Sequence, residues 1–358
     1  MRGHGEGTIF RNRRGLWVVK VSLPDGRRLE RSSKDRATAE RHRRELLRLV
    51  GLGVEPKPRL TLAAFLDGWL NDQRERVRPQ TWERYASVVR VHLTPELGHI
   101  RLQLLRPSSV DRVLASRLPR TGQQCRAVLR TALNAALRDG LVEFNAAERA
   151  RPVEHEAKPA VILEPAELAR FLEGVADDRL AALWVLAAMS GMREAELLGL
   201  AWDDLDLDGG LLHVRQQLVR LRGEWVLAEP KTRRGRRTIP VNSLVVAALR
   251  EHRRRVAAER TADWPYFGLV FTTERGTPIY GWRLVKMLRG HLVRLGIDKA
   301  PHVHDLRHTM ASHAKDGHVT DEALAAYLGQ SKLLGRYVHA LAGSGRTVAD
   351  AMERSVSR

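Results

Sequence analysis

The chain has 358 residues, 43% of them hydrophobic, and 61 Lys and Arg against 42 Asp and Glu give it a net charge of +19. This length predicts two or three domains, and the apolar fraction excludes wholesale disorder. A folded chain with this charge is expected to bind a polyanion, either nucleic acid or an anionic membrane surface. Because the charge is spread along the whole sequence, an extended surface for duplex nucleic acid is favoured.

Several other classes of protein are disfavoured by what the sequence contains. A single cysteine, Cys125, cannot form an internal disulfide, and no Cys-x-x-Cys zinc signature is present. The longest apolar run without charges, residues 180–192, has 13 residues and is too short to span a bilayer. No hydrophobic signal region opens the chain, so we expect a cytoplasmic bacterial protein without membrane contact.

Residues 1–57 are predicted to form a small basic module of β-β-α type. They contain 15 Lys and Arg against 7 Asp and Glu. Two strands are predicted at 16–23 and 27–32, separated by a Pro-Asp-Gly turn, and a helix is predicted at 38–49. A short sheet, a helix and excess positive charge are typical of a module that grips DNA.

Residues 60–150 are predicted to form a helical bundle, bounded by linkers at 51–59 and 151–159. Apolar residues recur at helical spacing in segments that begin at Thr61 and Arg78 and at 108–117, 122–139 and 145–149.

Residues 160–358 are predicted to form a mixed domain, mostly helical with a three-stranded antiparallel sheet. The predicted strands are 210–222, 224–228 and 236–241. The predicted helices are 165–175, 178–190, 243–260, 281–295, 304–316 and 321–328. The whole chain is therefore expected to be mainly α with small antiparallel β elements.

Four short segments of this third region carry residue types that suit phosphodiester chemistry. Segment 190–200 places Arg193 at a turn before an apolar helix, and segment 229–240 is a basic turn that contains Lys231. Segment 304–309 has His304 and Arg307 three residues apart on one helical face, and segment 336–339 contains Tyr337.

These segments resemble the motifs of the tyrosine recombinases, the phage integrase family. The resemblance covers residues 160–340. Residues 60–150 resemble the core-binding domain of that family, and residues 1–57 resemble the arm-type DNA-binding module of its longer members. The resemblance therefore implies three domains, 1–57, 60–150 and 160–358, of which the last is catalytic.

The resemblance also implies a role for each residue. Arg193 and Arg307 would hold the non-bridging oxygens of a DNA phosphodiester with planar, bidentate donors. Tyr337 would attack the phosphorus and form a covalent 3′-phosphotyrosine intermediate. His304 would accept the phenol proton or bind the phosphate, and Lys231 would protonate the leaving 5′ oxygen.

Two further positions match or depart from the family pattern. Glu196 matches a supporting acidic position and is expected to orient its neighbours. After Leu328-Gly329 the family has His, or sometimes Trp, whereas this chain has Gln330. Glutamine can donate a hydrogen bond to a phosphate oxygen, but it can neither transfer a proton nor carry a charge. The interval from Gln330 to Tyr337 is also shorter than usual.

The resemblance implies a set of partners and leaves alternatives open. It implies that neither a metal ion nor a cofactor is needed. It also implies that the substrate is double-stranded attachment-site DNA, and that the protein is a monomer when free and a homotetramer on two DNA sites. An excision factor or a host DNA-bending factor is a candidate accessory partner. The alternatives to an integrase are a family member that binds DNA without cutting it, motivated by Gln330, and an enzyme like the type IB topoisomerases.

Other interpretations of these residues are weaker. His304 and His308 are four residues apart, but a metalloprotease helix has Glu directly after the first His, and this chain has Asp305. We expect His308 and His313 to be packing or surface residues. Tyr327 competes with Tyr337 as the nucleophile, but its apolar neighbours predict a core position. For the basic run 233–237 we favour contact with phosphate.

Overall fold

The computed structural model describes residues 7–23, 28–51, 60–154, 159–230, 233–265, 267–329 and 344–356. The chain divides into two compact units, Met1–Glu156 and Ala157–Arg358. Their boundary falls in the polar stretch predicted as a linker. The other predicted linker, 51–59, lies almost wholly outside the described residues, so a domain boundary at residue 57 stays a prediction.

The first unit begins with a three-stranded antiparallel sheet in the order β1-β2-β3, followed by a helix. The elements are β1 Thr8–Arg11, β2 Trp17–Ser22, β3 Arg28–Ser33 and α1 Arg36–Gly51. Val19 and Val21 of β2 pack against Ala39 and Leu46 of α1. The two predicted strands and the predicted helix are present as β2, β3 and α1. The additional strand β1 was not predicted, because it is short and largely exposed, without the alternating apolar residues that mark a strand.

The rest of the first unit is helical, as predicted. Its elements are α2 Leu62–Gln73, α3 Pro79–Val88, a π-helical turn Val89–Leu93, α4 Thr94–Leu97, a 3₁₀ turn Leu102–Leu104, α5 Pro107–Ala115, α6 Pro119–Arg138 and α7 Ala146–Arg149. Thr61 caps α2, since its hydroxyl accepts a hydrogen bond from the Ala64 amide. Cys125 is fully buried in the apolar core of this bundle.

The second unit is helical with two small antiparallel sheets. Its helices are α8 Pro165–Gly174, α9 Ala181–Ser190, α10 Glu194–Leu198, α11 Ser243–Glu259, α12 Gly281–Arg294, α13 Val303–Asp316, α14 Asp321–Leu328 and α15 Ser344–Val356. Its strands are β4 Leu205–Asp206, β5 Leu211–Val214, β6 Gln217–Leu221, β7 Glu224–Ala228 and β8 Arg237–Pro240. The fold class predicted from the sequence is therefore confirmed.

Helix α9 is the centre of the second unit. Every residue of α9 after Ala181 is buried, and the Trp184 side chain is fully enclosed. A helix that is apolar on all sides has to be surrounded by other elements, and α9 packs between α11 and α13. No helix among the described residues is long and apolar enough to cross a bilayer.

The predicted long strand 210–222 is broken into two strands that belong to different sheets. β5 pairs with β4 and β8, whereas β6 pairs with β7. The break lies at Arg215 and Gln216, whose side chains turn to Asp204 and to the Gly199 carbonyl at 3.3 and 3.0 Å. Burial of the adjacent residues Leu218 and Val219 also interrupts the alternation of a single strand.

Helix α15 was not predicted. Four of its residues, Val348, Ala349, Ala351 and Met352, are buried, and all but Ala349 lie in the main core of the second unit. Asn242 connects α15 to the start of α11: its Oδ1 accepts a hydrogen bond from the Val245 amide at 3.1 Å, and its Nδ2 donates to the Ala349 carbonyl at 3.3 Å.

Replacing Asn242 with Ala is expected to destabilise the second unit. The substitution removes the N-cap of α11 and leaves the Ala349 carbonyl without this donor, which together should lower the free energy of unfolding by about 2 kcal/mol. The measurement is urea denaturation. Asn242→Ser, which keeps a cap but cannot reach Ala349, should lose less. Equal stability of all three proteins would contradict the expectation.

Candidate active site

Arg193 is positioned by a sharp turn between α9 and α10. Gly191 ends α9 in the left-handed conformation, with φ of 58°, which favours glycine. A Cβ on Gly191 would also lie 2.5 Å from Leu328 Cδ2. The turn brings Arg193 to the N-terminal end of α10, as predicted, with its side chain about one-third exposed (36%).

The carboxylate of Glu196 links two arginines. Arg193 donates to it twice, from its backbone amide to Oε2 at 3.0 Å and from Nη1 to Oε1 at 2.7 Å. Arg237 Nη2 donates to Oε2 at 3.0 Å. Glu196 is only 2% exposed. Although burial opposes its charge, the Arg237 guanidinium and these hydrogen bonds hold the pKa of the carboxyl below its usual value.

Arg307 is buried beside the same cluster. It is 3% exposed, and it donates from Nη1 to the Gly191 carbonyl and from Nη2 to the Leu328 carbonyl, the latter at 2.8 Å. Burial, together with the positive charges of Arg193 and Arg237, lowers the pKa of Arg307 to about 10. The guanidinium is still protonated at neutral pH. Its buried positive charge would be stabilised by a nearby anion.

His304 lies in the first turn of α13, one helical turn before Arg307, as the spacing predicts. Its side chain is exposed. Partial shielding from water and electrostatic interactions with His308, Arg307 and Arg193 lower its pKa below the usual value of 6.5. The imidazole is therefore neutral at physiological pH and can accept a proton.

The C-terminal end of α14 receives two of the arginines. Arg307 Nη2 donates to Leu328, as described above, and Arg237 Nε donates to the Tyr327 carbonyl at 2.9 Å. The last carbonyls of a helix lack partners within the helix and carry partial negative charge, so cations are favourable there. Gly329 then ends α14 with φ of 63°, and a Cβ at this position would lie 2.7 Å from the Arg234 carbonyl.

Sequence reasoning missed the position of Arg237. We expected the run 233–237 to contact phosphate, but the Arg237 side chain is 7% exposed and donates to Glu196, Tyr327 and Gly235. The available signal was its place at the start of strand β8, two residues before the buried Ile239. In a strand, that spacing puts both side chains on one face, which here is the inner one.

The remaining predicted site residues divide into two groups. Lys231, Gln330 and Tyr337 lie outside the described residues, so their assignment stays a prediction. Tyr327 is a core residue, as predicted: it is 5% exposed, its hydroxyl donates to the Pro240 carbonyl at 3.1 Å, and burial raises the pKa of its phenol.

The two other histidines of α13 differ in environment. His313 is buried, with Nε2 2.9 Å from the Leu163 carbonyl, and His308 is exposed. Within the described ranges, no group of three or more His, Cys, Asp or Glu side chains could hold a metal ion.

The arrangement is suited to binding a phosphate group. Arg193, Arg237 and Arg307 lie close enough for their charges to interact, and Glu196 is the carboxylate that influences Arg307 among the described residues. The cluster therefore carries an excess of positive charge, and two of its three guanidinium groups are almost fully enclosed. Such a cluster favours an anion with several oxygens, and guanidinium groups recognise phosphate through paired donors.

Solved structures share this fold. A Tn1549 transposon integrase in complex with a circular intermediate DNA is 23% identical, with a TM-score of 0.66 over 82% of this chain and 99% of that chain. A lambda integrase tetramer bound to a Holliday junction is 15% identical, with a TM-score of 0.58 over 92% of this chain and 98% of that one.

Sequence comparisons agree with the fold. A tyrosine recombinase XerC-like protein of Caldanaerobacter subterraneus subsp. tengcongensis is 26% identical over 86% of this chain and 85% of its own length. The profile of the phage integrase N-terminal SAM-like domain matches residues 61–116, and that of the phage integrase family matches residues 162–342. Because the second match covers just over half of the sequence, the chain belongs to the phage integrase family, the tyrosine-type site-specific DNA recombinases.

Proposed function

We propose that this protein is an integrase that cuts and rejoins double-stranded DNA at attachment sites through a covalent 3′-phosphotyrosine intermediate on Tyr337. The observation that carries the proposal is the cluster of Arg193, Arg237 and Arg307 around the carboxylate of Glu196, which offsets only part of their charge. The scissile phosphate would supply the missing negative charge.

Arg193 and Arg307 are proposed to bind the non-bridging oxygens of that phosphate. Arg193 is partly exposed and keeps donors beyond those used by Glu196. Arg307 donates one N–H to each of two carbonyls. These two bonds use two of the five N–H groups of its guanidinium. Charge that develops on the phosphate oxygens during attack would be stabilised by groups that are already in place.

Proton transfers would be shared among the other residues. Neutral His304 would accept the phenol proton of Tyr337 or donate a hydrogen bond to the phosphate. Lys231 would protonate the 5′ oxygen as it leaves, and Gln330 would donate a hydrogen bond without transferring a proton. Glu196 and Arg237 would not touch the phosphate; they would hold Arg193 in place. No step needs a metal ion or cofactor.

The assembly and biological role that we propose are those implied by the resemblance to the tyrosine recombinases. Two sites have to be brought together for strands to be exchanged, so we propose a homotetramer on two DNA sites that passes through a Holliday junction, formed from free monomers. The basic module at 1–57 would bind arm-type sites, 60–150 the core site, and 160–358 would catalyse. We propose integration or excision of a phage or integrative element, aided by an excision factor or a host DNA-bending factor.

Gln330 favours a second candidate, a relative that binds DNA without cutting it. Tyr337→Phe separates the two. On nicked attachment-site DNA, which traps the covalent intermediate, the wild-type protein should form an adduct that is stable to denaturing electrophoresis. The phenylalanine variant should form none while retaining its affinity for DNA, since only the nucleophilic oxygen is lost.

The matched control is Tyr327→Phe. This change removes a buried phenol oxygen that bonds to Pro240, so the variant should lose about 1 kcal/mol of stability but still form the adduct. An adduct formed by Tyr337→Phe would show that another residue is the nucleophile. Tight binding by the wild-type protein without any adduct would support the second candidate.

Glu196→Gln is expected to disorganise the arginine cluster. An amide cannot neutralise Arg193 and Arg237, so cleavage should slow by about a hundredfold and the free energy of unfolding should fall by about 3 kcal/mol at neutral pH. Because the pKa of Glu196 is lowered by folding, its stabilisation is complete above the usual value of 4.5 and is lost as the pH falls through the lowered pKa. The difference between wild type and variant should therefore shrink in acid.

Glu194→Gln is the control, two residues earlier on the same short helix. Burial raises the pKa of Glu194, so its charged form is unfavourable in the folded protein and the variant should be at least as stable as wild type at neutral pH. Unfolding by urea at a series of pH values measures both variants. Equal losses from the two substitutions would mean that Glu196 has no special part in the cluster.

His304 should titrate below the usual histidine pKa of 6.5. The midpoint can be followed by NMR of protein labelled in the histidine ring, with His304→Asn to assign the signal. His308→Asn removes a neighbour that lowers this pKa and should move the midpoint towards 6.5. A midpoint at or above 6.5 in the wild-type protein would contradict the lowered pKa of His304.

A further inference from the structure

Three aromatic side chains form a cluster on the surface of the second unit. Trp225 of β7 meets Tyr280 edge to face with ring centroids 4.8 Å apart, and Tyr280 lies 6.3 Å from Trp282 at the start of α12. We call Trp225, Tyr280 and Trp282 the aromatic platform. Packing against the core does not account for Trp282, which is 65% exposed; Trp225, which packs against the core, and Tyr280 are partly buried.

Positive charge surrounds the platform. The guanidinium of Arg220 on β6 lies 4.9 Å from the ring centre of Tyr280 and 5.9 Å from that of Trp225. Arg283 and Lys286, both exposed, line a surface groove of about 520 Å³ together with Tyr280, Trp282 and Met287. Flat rings beside cations are the combination with which proteins bind single-stranded nucleic acid, since bases stack on the rings while phosphates meet the cations.

The platform adjoins the candidate active site. Glu194, the residue after Arg193, lies directly against Gly281, between Tyr280 and Trp282: a Cβ on Gly281 would come 1.8 Å from its Oε1. The Glu194 carboxylate therefore occupies the space beside Gly281. A DNA strand held at Arg193 would pass close to the aromatic rings.

We propose that the aromatic platform binds unpaired nucleobases of the strand whose phosphate is held by Arg193 and Arg307. The proposal rests on the proposed recombinase function, because strand exchange requires bases near the cut to leave their partners. A base that unpairs would lose its stacking neighbours, and the exposed face of Trp282 would replace one of them.

Paired DNA is a poorer occupant of this surface. In a duplex the faces of the bases cover one another, and the outside offers phosphates, sugars and base edges. Arginines and lysines alone would serve such a contact. An exposed tryptophan beside a second aromatic ring contributes most where a free base face is available.

Trp282→Ala tests the proposal in the full-length protein. The probes are a short duplex of arbitrary sequence, the same duplex with a central run of mismatches, and oligothymidylate. Affinity for the mismatched duplex and for oligothymidylate should fall about tenfold, the effect of losing one stacked base, while affinity for the paired duplex should change little. Trp282→Phe should recover part of the loss.

Two controls accompany this variant. Val293→Ala changes a residue on α12 that is 78% exposed and lies three turns away, and it should leave all three affinities unchanged. Lys286→Ala removes charge without removing a ring and should weaken binding to all three probes by similar factors. Thermal unfolding of each variant checks that the fold is intact, as expected for exposed positions.

Other outcomes would overturn the proposal. Equal losses on paired and mismatched duplex would make Trp282 an ordinary duplex contact. Unchanged affinity for every probe, with altered sedimentation of the protein without DNA, would make the platform a protein interface. The adduct assay on Tyr337 is an independent test. If the protein binds unpaired bases selectively but forms no adduct, the proposal for the aromatic platform stands and the proposed cleavage by Tyr337 is rejected.

Discussion

The geometry of the candidate site depends on one buried carboxylate. Glu196 binds Arg193 on its own helix and Arg237 on strand β8, and so ties α10 to the edge of the sheet. Arg237 continues the connection to the last turn of α14 through the Tyr327 carbonyl. Because a buried charge is unfavourable without partners, these elements stay together only in the arrangement that satisfies Glu196.

Arg307 closes the same arrangement from the other side. From α13 it reaches the Gly191 carbonyl at the end of α9 and the Leu328 carbonyl at the end of α14. Carbonyl groups at helix ends offset part of its charge without neutralising it. This explains how three guanidinium groups can lie together in the absence of DNA, and why the cluster still favours an added phosphate.

The sequence predicts those parts of the structure that depend on local pattern. Helical periodicity located most of the helices within a few residues, and the three-residue spacing of His304 and Arg307 placed both near the cluster. Partnerships between distant segments were not predictable in this way. Arg237 belongs to a run of basic residues, and its side chain is buried against partners that are distant in sequence, among them Glu196, 41 positions away. The break between β5 and β6 likewise depends on Asp204 and Gly199.

Arginine serves two different purposes in this protein, and burial separates them. The net charge of +19 can attract DNA of any sequence through exposed side chains, and this attraction is screened by salt. Arg237 and Arg307 add nothing to that surface, since they are almost fully enclosed and hold carbonyls and a carboxylate. A charge that is shielded from water is only weakly screened by salt. The charges of these two arginines therefore depend much less on ionic strength than those of the exposed side chains do.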